Sequence, residues 1–170
     1  MKPQVSIIMG STSDLPIMEE AAKVLNEFEI PFEIMALSAH RTPDQVVSFA
    51  RGAYDRGVRV IIAGAGGAAH LPGVVAALSP VPVIGVPVKA GISLDGWDSL
   101  LSIVQMPPGI PVATVGVDAA RNAGILAAQI LGAGDPAIHE KIKKFKSGLE
   151  NKIVQANDEL KKIKFPYKVN

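Results

Sequence analysis

The sequence predicts an α/β chain: a doubly wound parallel sheet with helices on both faces, followed by one long C-terminal helix. Three observations lead there. Short runs rich in β-branched residues recur without polar alternation, the pattern of strands buried on both faces. Segments with apolar residues at helical spacing separate those runs in a β-α alternation. Turn-forming glycines close the first and third runs, at Gly10 and Gly64.

The first strand is expected over Val5-Ser6-Ile7-Ile8-Met9. A helix is expected over 14–28, with Ile17, Met18, Ala21, Ala22, Leu25 and Phe28 on its apolar face. The second strand falls at 32–37. Pro43 sits at a first-turn position, where its missing N–H costs nothing, and opens a helix to about residue 54. Arg59-Val60-Ile61-Ile62-Ala63 is the third strand, followed by a short helix at 70–78. The fourth strand is read at 81–86, with prolines marking its ends. A glycine-containing loop covers 88–96, a helix 97–106, the fifth strand 112–115 and a small-residue helix 119–131. Crossovers should be right-handed. From residue 135 to 163, Ile138, Ile142, Phe145, Leu149, Ile153, Leu160 and Ile163 recur at gaps of mostly three or four, so one long amphipathic helix is expected. Two docking places stay open for it: its own domain or a neighbouring subunit.

The 170 residues fit one catalytic domain, 1–170, comprising an α/β core at 1–134 and the terminal helix. The absence of cysteine excludes a disulfide scaffold, a cysteine nucleophile and thiolate metal ligation, and fits a reducing cytosol. Charged residues are only 19% against 48% hydrophobic, which points to extra buried surface: a homo-oligomer, or simply a large core. A net charge of +1 gives no footprint for nucleic acid. No apolar run reaches the ~18 residues of a membrane span, and no signal peptide is visible. A cytoplasmic location is expected.

Ligands of open parallel sheets bind beyond the carboxyl ends of the strands. Three loops there carry chemistry. Gly10-Ser11-Thr12-Ser13-Asp14 combines a sharp turn, hydroxyls and the free N–H groups of a helix start, a place for a phosphate. The same residues also read as a capping loop, with Ser13 or Asp14 as N-cap. Asp14 would repel a phosphate and suits sugar hydroxyls better. Ser38-Ala39-His40-Arg41-Thr42-Pro43 sets a histidine, able to act as acid and base near neutral pH, beside an arginine suited to phosphate. In Gly64-Ala65-Gly66-Gly67-Ala68-Ala69-His70-Leu71-Pro72-Gly73, seven of ten residues are glycine or alanine, which lets backbone approach a ligand closely. His70 reads either as a donor to a carboxylate or as a helix cap. No His/Asp/Glu cluster has metal-ligand spacing, so no metal is expected. His139 is expected on the solvent face of the terminal helix.

These loops, together with Gly85-Val86-Pro87-Val88 and Asp98-Ser99-Leu100-Leu101-Ser102-Ile103-Val104-Gln105-Met106-Pro107, closely resemble the catalytic subunit of phosphoribosylaminoimidazole carboxylase. Class I members of that family are N5-carboxyaminoimidazole ribonucleotide mutases of purine biosynthesis. The resemblance covers about residues 4–131, and the terminal helix fits it. It implies a flavodoxin-like three-layer α/β/α fold, a homo-octamer with sites at subunit contacts, no cofactor and no metal. It implies a ribonucleotide substrate whose carboxylate moves from the exocyclic nitrogen to ring carbon C4 through released and trapped carbon dioxide. A partner synthetase would make that substrate. Carried over motif by motif, His40 is the general acid/base and His70 touches the migrating carboxylate. Ser11, Ser13, Asp14 and Arg41 hold the ribose phosphate. Ser38 and the Ala65-Gly66-Gly67 loop line the base and the carbon dioxide, and Ala39 and Leu71 join the substrate-binding set. Residues 89–97 depart from the commoner family form, as does the second proline of Pro107-Pro108.

Two other readings stand beside this one. A direct carboxylase would take aminoimidazole ribonucleotide and carbon dioxide; that class more often has lysine in place of Arg41. A flavodoxin-like nucleotide-binding module would have no catalysis. A flavin site is disfavoured, because none of the three loops holds an aromatic residue to stack on the ring.

Overall fold

The computed structural model describes residues 1–169. Five parallel strands, β1 (Val5–Met9), β2 (Phe32–Ala36), β3 (Val60–Gly66), β4 (Val83–Val88) and β5 (Ala113–Thr114), lie in the order β2-β1-β3-β4-β5. This is the flavodoxin-like order, with its switch point between β1 and β3. The helices are α1 (Leu15–Glu27), α2 (Pro43–Arg56), α3 (Leu71–Leu78), α4 (Trp97–Val104), α5 (Ala120–Gly132) and α6 (Pro136–Lys162).

The period of two along each strand divides the core into two layers. Ile7, Ile62 and Ile84 face α1 and α5, meeting Met18, Val24, Leu25, Ala123 and Ala127. Ile8, Ile61 and Val83 face the opposite way, toward Val46, Phe49 and Ala50 of α2, Val75 of α3 and Ile103 of α4. Both faces are therefore covered, and the strands can be apolar throughout.

Several boundaries differ from the sequence reading. β3 runs three residues further, to Gly66, because Ala65 and Gly66 pair with Pro87 and Val88. Glycine carries no apolar signal, so the pattern hid this extension. Pro87 lies within β4 rather than at its end. Its carbonyl accepts from the Asp118 N–H, 2.8 Å away, on the side where β5 no longer pairs, so its missing donor interrupts no ladder. The helix expected over 14–28 is a single 3-10 turn at Thr12–Asp14 followed by α1. The helix expected to run to 106 stops at Val104.

α6 begins at Asp135, whose Oδ1 accepts from the N–H groups of Ala137 (2.9 Å) and Ile138 (3.3 Å). Its first turns dock on the core. Ile138 and Ile142 are buried, and Phe145 meets Phe28 edge to face at 5.5 Å. Beyond them Leu149, Ile153, Val154 and Leu160 are exposed. His139 is exposed, as expected. Among the described residues no helix is long and apolar enough to cross a membrane.

Candidate active site

Register brings the marked loops together. Met9 pairs with Ala36 on one side and Gly64 on the other, so β1 and β2 release their loops at one level and β3 two residues beyond it, at the switch point. β3 and β4 end paired at Gly66 and Val88, which sets the loop 89–96 alongside. The loops enclose an open cleft of about 310 Å³.

Ser11, Ser13 and Asp14 form one wall. The sequence left Ser13 or Asp14 as cap, but Ser11 is the residue that caps: its Oγ accepts from the Ser13 N–H at 3.3 Å. Asp14 makes no side-chain cap. It is buried and accepts a 3.3 Å bond from the Ser13 hydroxyl. Burial pushes its carboxyl above the ordinary range, against the pull of Ser13, the Ser11 backbone and Arg41.

The segment 38–42 is closed on itself. Thr42 Oγ1 accepts from the Ser38 N–H (3.0 Å) and donates to the Ser38 carbonyl (3.1 Å). Ser38 Oγ accepts from the Arg41 backbone N–H (3.2 Å) and from Arg41 Nε (3.4 Å). Arg41 Nη2 in turn donates to the Gly10 carbonyl (2.7 Å), tying this loop to the first. Ser38 thus orients Arg41 as well as lining the cleft. Thr42, which sequence reasoning treated only as part of a motif, is the staple that fixes the backbone around His40; a Thr-Pro pair ahead of a helix was the available signal.

His40 Nε2 stands 2.8 Å from His70 Nδ1, with the rings edge to face at 5.0 Å between centroids. One ring must donate and the other accept, so at most one is cationic while the contact stands. His70 caps nothing with its side chain: α3 begins at Leu71 and His70 already has helical backbone angles. Its imidazole lines the cleft and bonds His40 instead. The pair offers a proton donor and a proton acceptor within a single hydrogen bond.

Ala39, Ala65, Gly66 and Leu71 line the cleft with these groups. Gly67 does not. Its φ of +60° makes the turn out of β3, and it faces Ile92 instead. Gly10, Ala68, Ala90 and Ile92 line the cleft without having been singled out from sequence. For Ile92 the one signal was an aliphatic residue inside a glycine- and serine-containing loop. Among the described residues no three His, Asp or Glu side chains group as a metal would need.

Hydroxyls, an arginine and a helix start, gathered in one cleft with paired imidazoles and small apolar residues, define an α/β protein built to hold a small phosphorylated ligand beside an acid/base pair. Comparison with known proteins agrees. The AIR carboxylase family model matches residues 4–152. The chain is 62% identical over 148 residues to the N5-carboxyaminoimidazole ribonucleotide mutase of Pyrococcus abyssi, covering 87% of this chain and 84% of that one. It is 54% identical over 168 residues to the N5-carboxyaminoimidazole ribonucleotide mutase of Thermotoga maritima, covering 99% and 98%. The crystal structure of Treponema denticola PurE superposes with a TM-score of 0.83 at 32% identity, over 95% of this chain and 100% of that one. The chain belongs to the AIR carboxylase family.

Proposed function

We propose that this protein is an N5-carboxyaminoimidazole ribonucleotide mutase of purine biosynthesis, acting in the cytoplasm on a free ribonucleotide. The observation that carries the reading is the His40–His70 pair, 2.8 Å apart, in a cleft whose hydroxyls, arginine and helix start suit a phosphate. The mutase names of its full-length relatives support the same assignment.

The reaction needs one proton delivered and one removed. As the N5 carboxylate leaves as carbon dioxide, the C–N electron pair returns to nitrogen, which takes a proton from His40. Carbon dioxide then bonds to C4, and neutral His40 removes the C4 proton, restoring the ring and the starting state of the enzyme. His70, bonded to His40, holds its orientation and reaches the migrating carboxylate. Ser11, Ser13 and the remaining donors of Arg41 take the phosphate, and Asp14 takes ribose hydroxyls. Ala39, Ala65, Gly66 and Leu71 pack the base together with Ser38, whose hydroxyl also orients Arg41.

A single subunit leaves the cleft open, and the outer half of α6 carries exposed aliphatic residues. Both fit a homo-octamer in which neighbouring subunits complete the site; the substrate itself would come from a partner synthetase. The whole chain then acts as one catalytic domain.

His40→Asn tests the reading. General acid/base catalysis contributes about 10²–10⁴-fold, and a loss of that size in kcat is expected with nucleotide binding retained. Product absorbance follows the reaction. Turnover only with the uncarboxylated nucleotide plus bicarbonate would overturn the mutase in favour of the direct carboxylase. Equal turnover of mutant and parent would remove His40 from the chemistry.

A further inference from the structure

Ile92 contributes nothing to the packing of the subunit, yet its position is built with care. It is 86% exposed, so it adds nothing to the core, and it lines the cleft. Two glycines of β3 and its turn make room for its loop. A Cβ on Gly66 would come within 2.7 Å of Ala90 Cβ, and one on Gly67 within 3.3 Å of Ile92 Cδ1. The loop is braced on both sides of residue 92. The Lys89 N–H donates to Asp118 Oδ1 (2.9 Å), and Lys89 Nζ pairs with Asp95 (2.7 Å). Ser93 N–H donates to the Ala90 carbonyl (2.9 Å), and the Ser93 hydroxyl donates to Asp98 and accepts from the Gly96 N–H. An aliphatic side chain is therefore held at the cleft by a polar frame, and Ala65, Ala68, Leu71 and Ala90 line the same cleft.

We propose that Ile92 shields the released carbon dioxide, closing the apolar end of the cleft over the base so that the gas recombines with C4 instead of escaping. This rests on the mutase reading above. Carbon dioxide is uncharged and small, and a wall without hydrogen-bond donors neither hydrates it nor admits the water that would. In the competing outcome nitrogen keeps the proton it took, C4 keeps its own, aminoimidazole ribonucleotide leaves with free carbon dioxide, and His40 recovers its proton from solvent. Ile92 is a positioning residue for this partition and exchanges no proton.

The test starts the reaction with unlabelled N5-carboxyaminoimidazole ribonucleotide in ¹³C-bicarbonate, with carbonic anhydrase present. It reads the labelled fraction of product and the yield of uncarboxylated nucleotide, after subtraction of the enzyme-free decay. The parent is expected to return nearly unlabelled product. Ile92→Ala is expected to raise both readings several-fold, Ile92→Leu to restore the parent partition, and Leu94→Ala, an exposed neighbour outside the cleft lining, to match the parent. A merely structural residue would lower rate or stability without moving the partition. Parent-like partition in Ile92→Ala, or an equal rise in Leu94→Ala, would overturn the role of Ile92 while leaving the mutase standing. A parent that converts no substrate would instead overturn the mutase reading, and this inference with it.

Discussion

Asp14→Asn is expected to make the protein more stable and worse at binding its nucleotide. Asp14 is only 6% exposed, and burial is the largest influence on its carboxyl, holding its pKa above the ordinary 3.8. A carboxyl raised in the folded state contributes stability in full below 3.8 and loses it as pH rises through the folded value. At pH 8 the ionised group therefore weakens the fold. Asparagine keeps the shape, keeps an oxygen for the Ser13 hydroxyl and carries no charge. Single stabilising substitutions commonly yield about 0.5–2 kcal/mol. For a domain of this length, ~1 kcal/mol moves Tm by about 2–4 °C, so a rise of roughly 1–8 °C is expected. The same change replaces charged hydrogen bonds to ribose by neutral ones, a loss of about 1–1.5 kcal/mol for each bond, or roughly 5–13-fold in affinity. Thermal unfolding at pH 8 and pH 4, with calorimetric titration of product nucleotide, reads both effects. The stability gain should shrink toward pH 4. A variant less stable than the parent at pH 8, or one that gains stability and binds as well, would refute the reasoning.

Three further outcomes are expected. Arg41→Lys loses the fork that reaches Gly10 and Ser38, and should raise KM by about 10–100-fold with a smaller change in kcat, as steady-state kinetics would report. Gly85→Ala should cost about 1–3 kcal/mol in urea unfolding with an unchanged m-value, because the added carbon overlaps Ile103 Cγ2 and lies 2.9 Å from Val112 Cγ1. Ile103 is buried and β-branched, so it has few rotamers in which to yield. Ending the chain at Gly148 keeps Ile138, Ile142 and Phe145 on the core but removes Leu149, Ile153, Val154 and Leu160. Light scattering should then report a particle smaller than an octamer, and an unchanged octamer would remove the outer half of α6 from the subunit contacts.

Much of the fold was legible because burial leaves a local trace. β1, β3 and β4 are apolar on both faces since helices cover both sides of the sheet, and α6 wears a stripe because one face of it docks. The two-residue β5 was harder: its flanking apolar residues mimic a longer strand, whereas only Ala113 and Thr114 pair with β4. Loop chemistry was legible as residue type. Glycine where the chain turns, hydroxyls at a helix start and a His-Arg pair at a strand end are choices that local geometry and ligand charge impose.

Contact between distant residues was not legible in that way. His40 and His70 are thirty positions apart, and each looks alike whether it faces a partner or solvent. Their meeting depends on Met9 pairing with both Ala36 and Gly64, a property of strand register. The same dependence set Ile92 at the cleft, whereas the Ser11 cap is local, two residues from its donor. The amino-acid order by itself determined which segments are strands, which loops carry chemistry and which family the chain resembles, because those follow from local pattern. Only the tertiary structure decided which side chains share one hydrogen bond and which line the cleft, because those distances are set by packing between elements tens of residues apart in the sequence.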